Sequence, residues 1–299
     1  MNKFAIGSII KKIFYCLLIC MFISGCNTNS RNFSEVNQDE GINSYDNVYG
    51  YDYINRQEEI DRKGYFEDSA RNTFNDYIVS DHFEIYYNSS NQSNKLYASN
   101  SIKILEEEYY RILEFLNVEE TNMPKVKIHM YDGFEKIRLS IIDELKFDPN
   151  DMNINFMGVS IKNDTIYFTL KDKSGHIIDI KRVLVHEFTH IVTMALTDGK
   201  AQVDWLWEGT AKYLAQDRDY SEVYYKEMLE KGLPDLYVLS ISESRYTYGY
   251  SMVEYIIKTF GREKLTELLV QQGDINNVLN ITADEFRDGW EAFLEEKLN

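Results

Sequence analysis

The feature that most constrains this chain is a pair of histidines, His186 and His190, set four residues apart in a stretch with helical periodicity. Residues i and i+4 of a helix lie about 40° apart around its axis, so the two imidazoles would converge on one metal ion. The periodicity predicts a helix from about Asp179, with Gly199 at the C′ position after its end. Two surface histidines on a solvated helix face are the alternative. The apolar stripe of this helix comprises Ile180, Leu184, Phe188, Ile191 and Ala195.

Glu187 lies between these histidines, in the pattern H-E-x-x-H. On the same helix its side chain points about 100° away from His186, beside a bound metal rather than among its ligands. A carboxylate in that position can hold a water molecule at the metal and take its proton. The spacing therefore predicts that Glu187 is a general base.

A third ligand is predicted at Glu208, in the segment W-L-W-E-G-T-A at 205–211. A catalytic zinc site has three protein ligands and one open position, so a carboxylate from a neighbouring element is required. The small residues Gly209, Thr210 and Ala211 are expected to let this element approach the histidine-bearing helix closely. Without the upstream histidine motif, the local pattern would predict that Glu208 is an exposed residue of an amphipathic helix.

Composition excludes several other classes of protein. The 299 residues are 44% hydrophobic, which is enough for a sizeable core and excludes a wholly disordered chain. The formal net charge of −17 argues against a nucleic-acid partner, because phosphate binding needs a basic face. All three cysteines, Cys16, Cys20 and Cys26, lie near the N-terminus, so no disulfide or cysteine-based metal site is expected in the body.

The N-terminus predicts a membrane anchor. Lysines precede a short apolar run at 13–24, which is too short for a spanning helix and is typical of a secretory signal. The run ends in I-S-G-C at 23–26, which resembles a bacterial lipobox. We expect a signal peptide at 1–25, a lipid on Cys26, and a protein held on the extracytoplasmic side of the cell membrane. An ordinary cleaved signal is the alternative.

Residues 26–76 are polar and without periodicity, which predicts a flexible acidic tether, although its tyrosines also fit a docking segment. The body is predicted to be α+β. Alternating residues predict a half-buried strand around 83–87 and further strands around 126–130 and 165–170. Helical steps predict helices at 102–116 and 137–145. Residues 77–218 are expected to form an α+β lobe with a small mixed sheet and the histidine-bearing helix, and 219–299 an all-helical lobe.

Two further expectations concern the last helix and the strand at 165–170. Thr282 and Glu285 form a capping box that predicts the start of the last helix. The core face of that helix is expected to comprise Phe286, Trp290 and Phe293. The strand at 165–170 is a candidate to bind an extended substrate by strand addition, if it is not an interior strand.

The sequences H-E-F-T-H at 186–190 and W-L-W-E-G-T-A at 205–211 resemble those of the gluzincin metallopeptidases, the thermolysin-like and aminopeptidase-N-like zincins. The similarity is closest to small bacterial peptidase-MA-like proteins and covers roughly residues 80–298. The resemblance implies one Zn²⁺ ion held by His186, His190 and Glu208, with Glu187 as general base. It also implies a small sheet whose edge strand lies over the site helix, and a helical lobe that closes the cleft.

The resemblance further implies that a tyrosine stabilises the oxyanion of the reaction. Tyr246 precedes Gly249 by three residues, as in the family, and Tyr250 is the rival; ordinary aromatic packing explains either equally well. The aminopeptidase stretch G-x-M-E-N is absent, which disfavours an exopeptidase. Thermolysin-like enzymes carry an Asp four residues after the ligand Glu, and Lys212 occupies that position here.

The function expected from these features is zinc-dependent hydrolysis of peptide bonds in a peptide or protein substrate. The competing class is a non-catalytic, lipid-anchored surface protein whose zinc site is structural or binds a partner. Hydrolysis of another cell-envelope amide is a third possibility.

Overall fold

The computed structural model of the protein describes residues 74–145, 156–200, 203–217, 222–236 and 244–298. Within these ranges, the side chains of residues 143, 145, 222–224 and 244–247 lie outside the description. The predicted signal peptide, Cys26 and nearly all of the predicted tether also lie outside it. The predicted end of the tether at 76 falls too late, because Phe74 is buried and the first strand begins at Asp76.

The described strands form one five-stranded mixed sheet with the order β1-β2-β3-β5-β4. The central strands β2, β3 and β5 are parallel, and the outer strands β1 and β4 pair with them antiparallel. The strands are β1 (Asp76–Val79), β2 (Phe83–Tyr87), β3 (Val126–Tyr131), β4 (Gly158–Ile161) and β5 (Thr165–Thr169).

Two α-helices lie between strands of the sheet, and the described chain after β5 is mostly helical. The helices are α1 (Gln92–Leu116), α2 (Phe134–Leu145), α3 (Ile180–Leu196), α4 (Asp204–Leu214), α5 (Glu222–Lys231), α6 (Ser244–Phe260), α7 (Arg262–Val270), α8 (Ile275–Leu279) and α9 (Ala283–Leu298). A mixed sheet followed by a mostly helical C-terminal region confirms the predicted α+β class. None of the described helices is long and apolar enough to cross a membrane.

Both faces of the sheet are covered. Ile128 and Met130 of β3 face a core shared with α1 and α3, whereas Tyr131 of the same strand joins a second cluster that includes residues of α2. The expectation of a half-buried strand at 83–87 is therefore wrong, because every residue of β2 is buried. Glu84 is tolerated on the second face since it accepts a hydrogen bond from the hydroxyl of Tyr86 at 2.7 Å.

The strand at 165–170 is not available for strand addition. Within the sheet, β5 pairs with β3 on one side and with β4 on the other, so both of its backbone edges are used. The hypothesis that this strand binds substrate is wrong. The strand at the edge of the sheet next to β5 is β4, which the alternation of residues did not reveal because it is only four residues long.

The helix that carries the two histidines, α3, is capped at both ends. The side chain of Asp179 accepts a hydrogen bond from the backbone amide of Arg182 and caps the first turn. The helix ends at Leu196 with Thr197 as its C-cap, and Asp198, at φ 52°, takes the C′ position predicted for Gly199. Gly199 follows with φ 68°, and its amide bonds the carbonyl of Met194.

The capping box that starts the last helix is confirmed. The amide of Thr282 donates to the carboxylate of Glu285 at 2.7 Å, and the amide of Glu285 donates to the hydroxyl of Thr282 at 3.2 Å. Phe286 and Trp290 are fully buried as predicted, but Leu294 rather than Phe293 completes the core face of α9.

Candidate metal centre

His186, His190 and Glu208 come together as the two separate motifs predicted. The Nε2 atoms of the histidines are 3.1 Å apart, and Oε2 of Glu208 lies 3.3 Å from Nε2 of His186 and 3.7 Å from that of His190. One ligand atom from each residue lies within 4.8 Å of the others. The three side chains are therefore positioned to bind a single ion, with α3 supplying two ligands and α4 the third.

The burial and hydrogen bonding of these three side chains indicate whether a cation fits between them. Glu208 is 1% exposed, and neither of its carboxylate oxygens has a hydrogen-bond partner among the described residues. Nδ1 of His190 is likewise buried without such a partner. A buried carboxylate that lacks partners is costly, and a cation placed between Glu208 and the two imidazoles would remove that cost. The donor set of two nitrogens and one oxygen suits Zn²⁺.

The electrostatics of the group keep Glu208 ionised. Burial alone would raise the pKa of Glu208, but the neighbouring His190 and His186 side chains outweigh burial and hold that pKa below its usual range. A ligand carboxylate must be deprotonated to bind a metal, so the site provides its oxygen ligand in the required form.

The ring of His190 is oriented by stacking. Trp207, one residue before Glu208, lies parallel to His190 with ring centroids 4.8 Å apart and planes inclined by 10°. The two histidine rings are nearly perpendicular, at 86°. Because α4 supplies both Trp207 and Glu208, one short segment provides the third candidate ligand and also fixes the orientation of one imidazole.

Glu187 lies beside the three ligands and faces the edge strand. It is 3% exposed, and Oε2 of its carboxylate is 2.9 Å from the hydroxyl of Ser160 on β4. Burial raises the pKa of Glu187, opposed by the His186 and His190 side chains and by the Ser160 hydrogen bond. Ser160 was not predicted from the sequence, because no local pattern links a serine on a four-residue strand to a glutamate 27 residues later.

Gly209, the first of the small residues after Glu208, packs against a different helix from the one predicted. Gly209 packs against Gly249 of α6 rather than against α3: a Cβ on Gly209 would lie 2.9 Å from Cα of Gly249. Glu208 itself is directed at the histidines, and the next residue lies about 100° further around the helix, where it meets α6. The glycine pair therefore brings the helical region against the ligand helix α4.

The two candidate oxyanion tyrosines both lie on α6. Tyr246 is one turn before Gly249, and its side chain is outside the description. Tyr250 is 2% exposed, and its ring packs against Tyr213 of α4 with centroids 5.5 Å apart. Both remain candidates.

Lys212, which replaces the Asp of the thermolysin-like enzymes, is buried in an ionic group. Asp217 is 1% exposed and bonds Nη1 of Arg182 at 2.8 Å through Oδ1, while Nζ of Lys212 lies 3.8 Å from its Oδ2. The amide of Asp217 bonds the carbonyl of Lys212, and that of Gln216, at φ 55°, bonds the carbonyl of Tyr213. This Schellman turn brings the end of α4 back onto the first turn of α3.

Comparison with known proteins adds no family assignment. No family model matches the chain, and no curated protein matches it significantly.

Proposed function

We propose that this protein is a zinc-dependent peptidase of the gluzincin type. The observation that carries the proposal is a buried group of His186, His190 and Glu208, whose carboxylate has no hydrogen-bond partner among the described residues. A second buried carboxylate, Glu187, lies beside this group and is not part of it. Three ligands leave a position open for water, and a purely structural site has no use for an adjacent base.

His186, His190 and Glu208 would hold the ion. When bound, zinc acts as a Lewis acid that polarises the scissile carbonyl and lowers the pKa of a coordinated water. Glu187 accepts the proton of the attacking water and passes it to the amine of the leaving group. Tyr246 is proposed to donate its phenol proton in a hydrogen bond to the oxyanion, with Tyr250 as the rival candidate.

The substrate is proposed to be a peptide or protein that binds in extended form, and the reaction to be internal cleavage. Among the described residues β4 pairs only with β5, so its other edge offers backbone groups next to Glu187. No nucleic acid is expected as a partner, given the net charge of −17. A lipid on Cys26 would hold the enzyme at the cell membrane on its extracytoplasmic side, within reach of envelope or extracellular proteins.

The test is chelator-sensitive cleavage. The full chain, purified in mild detergent, is incubated with a library of internally quenched peptides, then with 1,10-phenanthroline, and then with restored zinc. Cleavage should stop with the chelator and return with the metal. Glu187→Gln should keep one zinc per chain while its rate falls roughly 100-fold or more, and His190→Ala should lose the zinc as well. Full activity of Glu187→Gln, or a protein that binds no zinc, contradicts the proposal.

A non-catalytic zinc site is the second candidate, and the near-complete burial of the three ligands favours it, since structural sites are closed. In that case zinc removal destabilises the protein, no peptide in the library is cleaved, and Glu187→Gln changes neither zinc content nor any binding. The two candidates thus differ in whether the wild-type protein cleaves any peptide and whether Glu187→Gln lowers that rate.

A further inference from the structure

We propose that Ser160 is a positioning residue for Glu187, and that it acts by holding one carboxylate oxygen so that the other faces the reacting water. The inference rests on the proposed function for its catalytic consequence. The contact itself stands on the geometry of β4 and α3.

The hydroxyl of Ser160 has two acceptors within reach, both on Glu187. Its Oγ lies 2.9 Å from Oε2 of the carboxylate and 2.8 Å from the backbone carbonyl oxygen of the same residue. Ser160 is 2% exposed, so water competes little for these bonds. A hydroxyl has one hydrogen, and an ionised carboxylate is a stronger acceptor than a carbonyl. The contact therefore restrains the side chain of Glu187 relative to its own backbone.

A second residue on the same face of β4, Gly158, leaves space for the Glu187 side chain. Gly158 and Ser160 share this face, since alternate residues of a strand point the same way. A Cβ on Gly158 would lie 2.7 Å from Cγ1 of Val183 and 2.9 Å from Cγ of Glu187. A glycine followed two residues later by a serine thus leaves space for the Glu187 side chain and then supplies its hydrogen-bond donor.

This arrangement distinguishes the two oxygens of Glu187. Oε2 is engaged by Ser160, and that hydroxyl is the one hydrogen-bond donor to the carboxylate among the described residues. Oε1, which would lie 3.1 Å from a Cβ on Gly158 and so depends on the glycine for its space, is then the oxygen assigned to accept a proton from water during the reaction. Loss of the hydroxyl should leave the carboxylate present but less restrained, which lowers the turnover rate more than substrate binding.

The kinetic test compares three variants of the full chain on the peptides that the wild type cleaves. Ser160→Ala should lower kcat about tenfold or more, with KM and zinc content unchanged. Ser160→Thr keeps the hydroxyl and should recover most of kcat. Ser101→Ala is the matched control, because Ser101 is a buried serine of α1, outside β4 and outside the candidate site, and should leave kcat unchanged. Wild-type kcat in Ser160→Ala would overturn the proposal.

A second measurement does not depend on activity or on metal. The melting temperature of the chelated protein is measured for Ser160→Ala, Glu187→Met and the double variant. If the hydroxyl bonds the carboxylate, the loss of melting temperature caused by Ser160→Ala should be clearly smaller in the Glu187→Met background than in the wild type. Equal losses in both backgrounds contradict the proposal. If the wild type cleaves no peptide, the proposed function fails while this cycle still decides the Ser160 contact.

Discussion

Gly209 and Gly249 lie against each other where α4 crosses α6, so closely that neither has space for a side chain. A Cβ on Gly249 would lie 2.6 Å from the carbonyl oxygen of Trp205, and one on Gly209 would lie 2.9 Å from Cα of Gly249. These contacts involve backbone atoms, which cannot rotate away. Since Gly209 follows Glu208 directly, the position of this candidate metal ligand depends on the packing between α4 and α6.

Gly209→Ala is accordingly expected to destabilise the protein by about 1–3 kcal/mol, because one added methyl group forces the two helices apart. Urea unfolding followed by circular dichroism measures the change. Gly133→Ala is the control, since a Cβ there meets no atom within 4 Å, and it should change stability by less than about 0.5 kcal/mol. Equal stability of the two variants would contradict the close crossing.

Zinc is expected to raise the melting temperature of the chelated protein, because a ligand that binds only the folded state stabilises it by mass action. At a free zinc concentration of 100 times Kd the gain is about 2.7 kcal/mol. Glu208→Ala should abolish this shift, whereas Glu108→Gln, a buried glutamate outside the site, should retain it. Differential scanning fluorimetry with zinc, and with magnesium for comparison, provides the measurement.

Tyr246→Phe and Tyr250→Phe form a matched pair on one helix. If the Tyr246 phenol donates to the oxyanion, its removal should lower kcat by roughly 100-fold without changing zinc content. Tyr250→Phe keeps the ring that packs against Tyr213 and should then change kcat little. The reverse result would assign the role to Tyr250, and a full rate in both variants would leave the oxyanion to the metal.

Asp217→Asn should be strongly destabilising. Asp217 is buried between Arg182 and Lys212, and removal of its charge leaves two cations without their shared counter-ion. The expected loss is about 3 kcal/mol in urea unfolding. Asp284→Asn, at an exposed position beside Arg287, should cost less than about 1 kcal/mol. Similar losses in both variants would mean that the buried group is not an ionic bridge between α3 and the end of α4.

The burial of His129 predicts that the folded protein becomes less stable as the pH falls. It is buried in β3 with its ring stacked on Tyr167, and burial, with lesser contributions from Lys127 and Lys162, lowers its pKa to about 3. Its folded pKa is below its unfolded value of about 6.5, so the unfolded chain binds the proton first. The free energy of unfolding should therefore fall as pH decreases from about 6.5 to 3, by up to about 1.4 kcal/mol per pH unit.

His129→Gln should flatten this part of the stability curve, measured by urea unfolding of the chelated protein between pH 7 and 4. His176→Gln, at an exposed position, should leave the slope unchanged. An unchanged slope in His129→Gln would mean that His129 is not held neutral by the fold.

The amino-acid sequence by itself determined the parts of this protein that depend on local periodicity. A step of four residues places His186 and His190 on one face of a helix, and a step of three places Thr282 and Glu285 within bonding distance at a helix start. These relationships hold in any context in which the helix forms. The pairing of Glu208 with the histidines was also predictable, but only as a requirement for a third ligand.

The tertiary structure alone decided which surfaces meet. Ser160 contacts Glu187 only because β4 lies at the sheet edge across α3, and Gly209 meets α6 only because Glu208 is turned toward the histidines. Asp217 reaches Arg182 through a turn made by a non-glycine residue, Gln216, in a left-handed conformation. Such contacts join residues far apart in the chain, and their geometry depends on strand order and helix crossing, which no local spacing encodes.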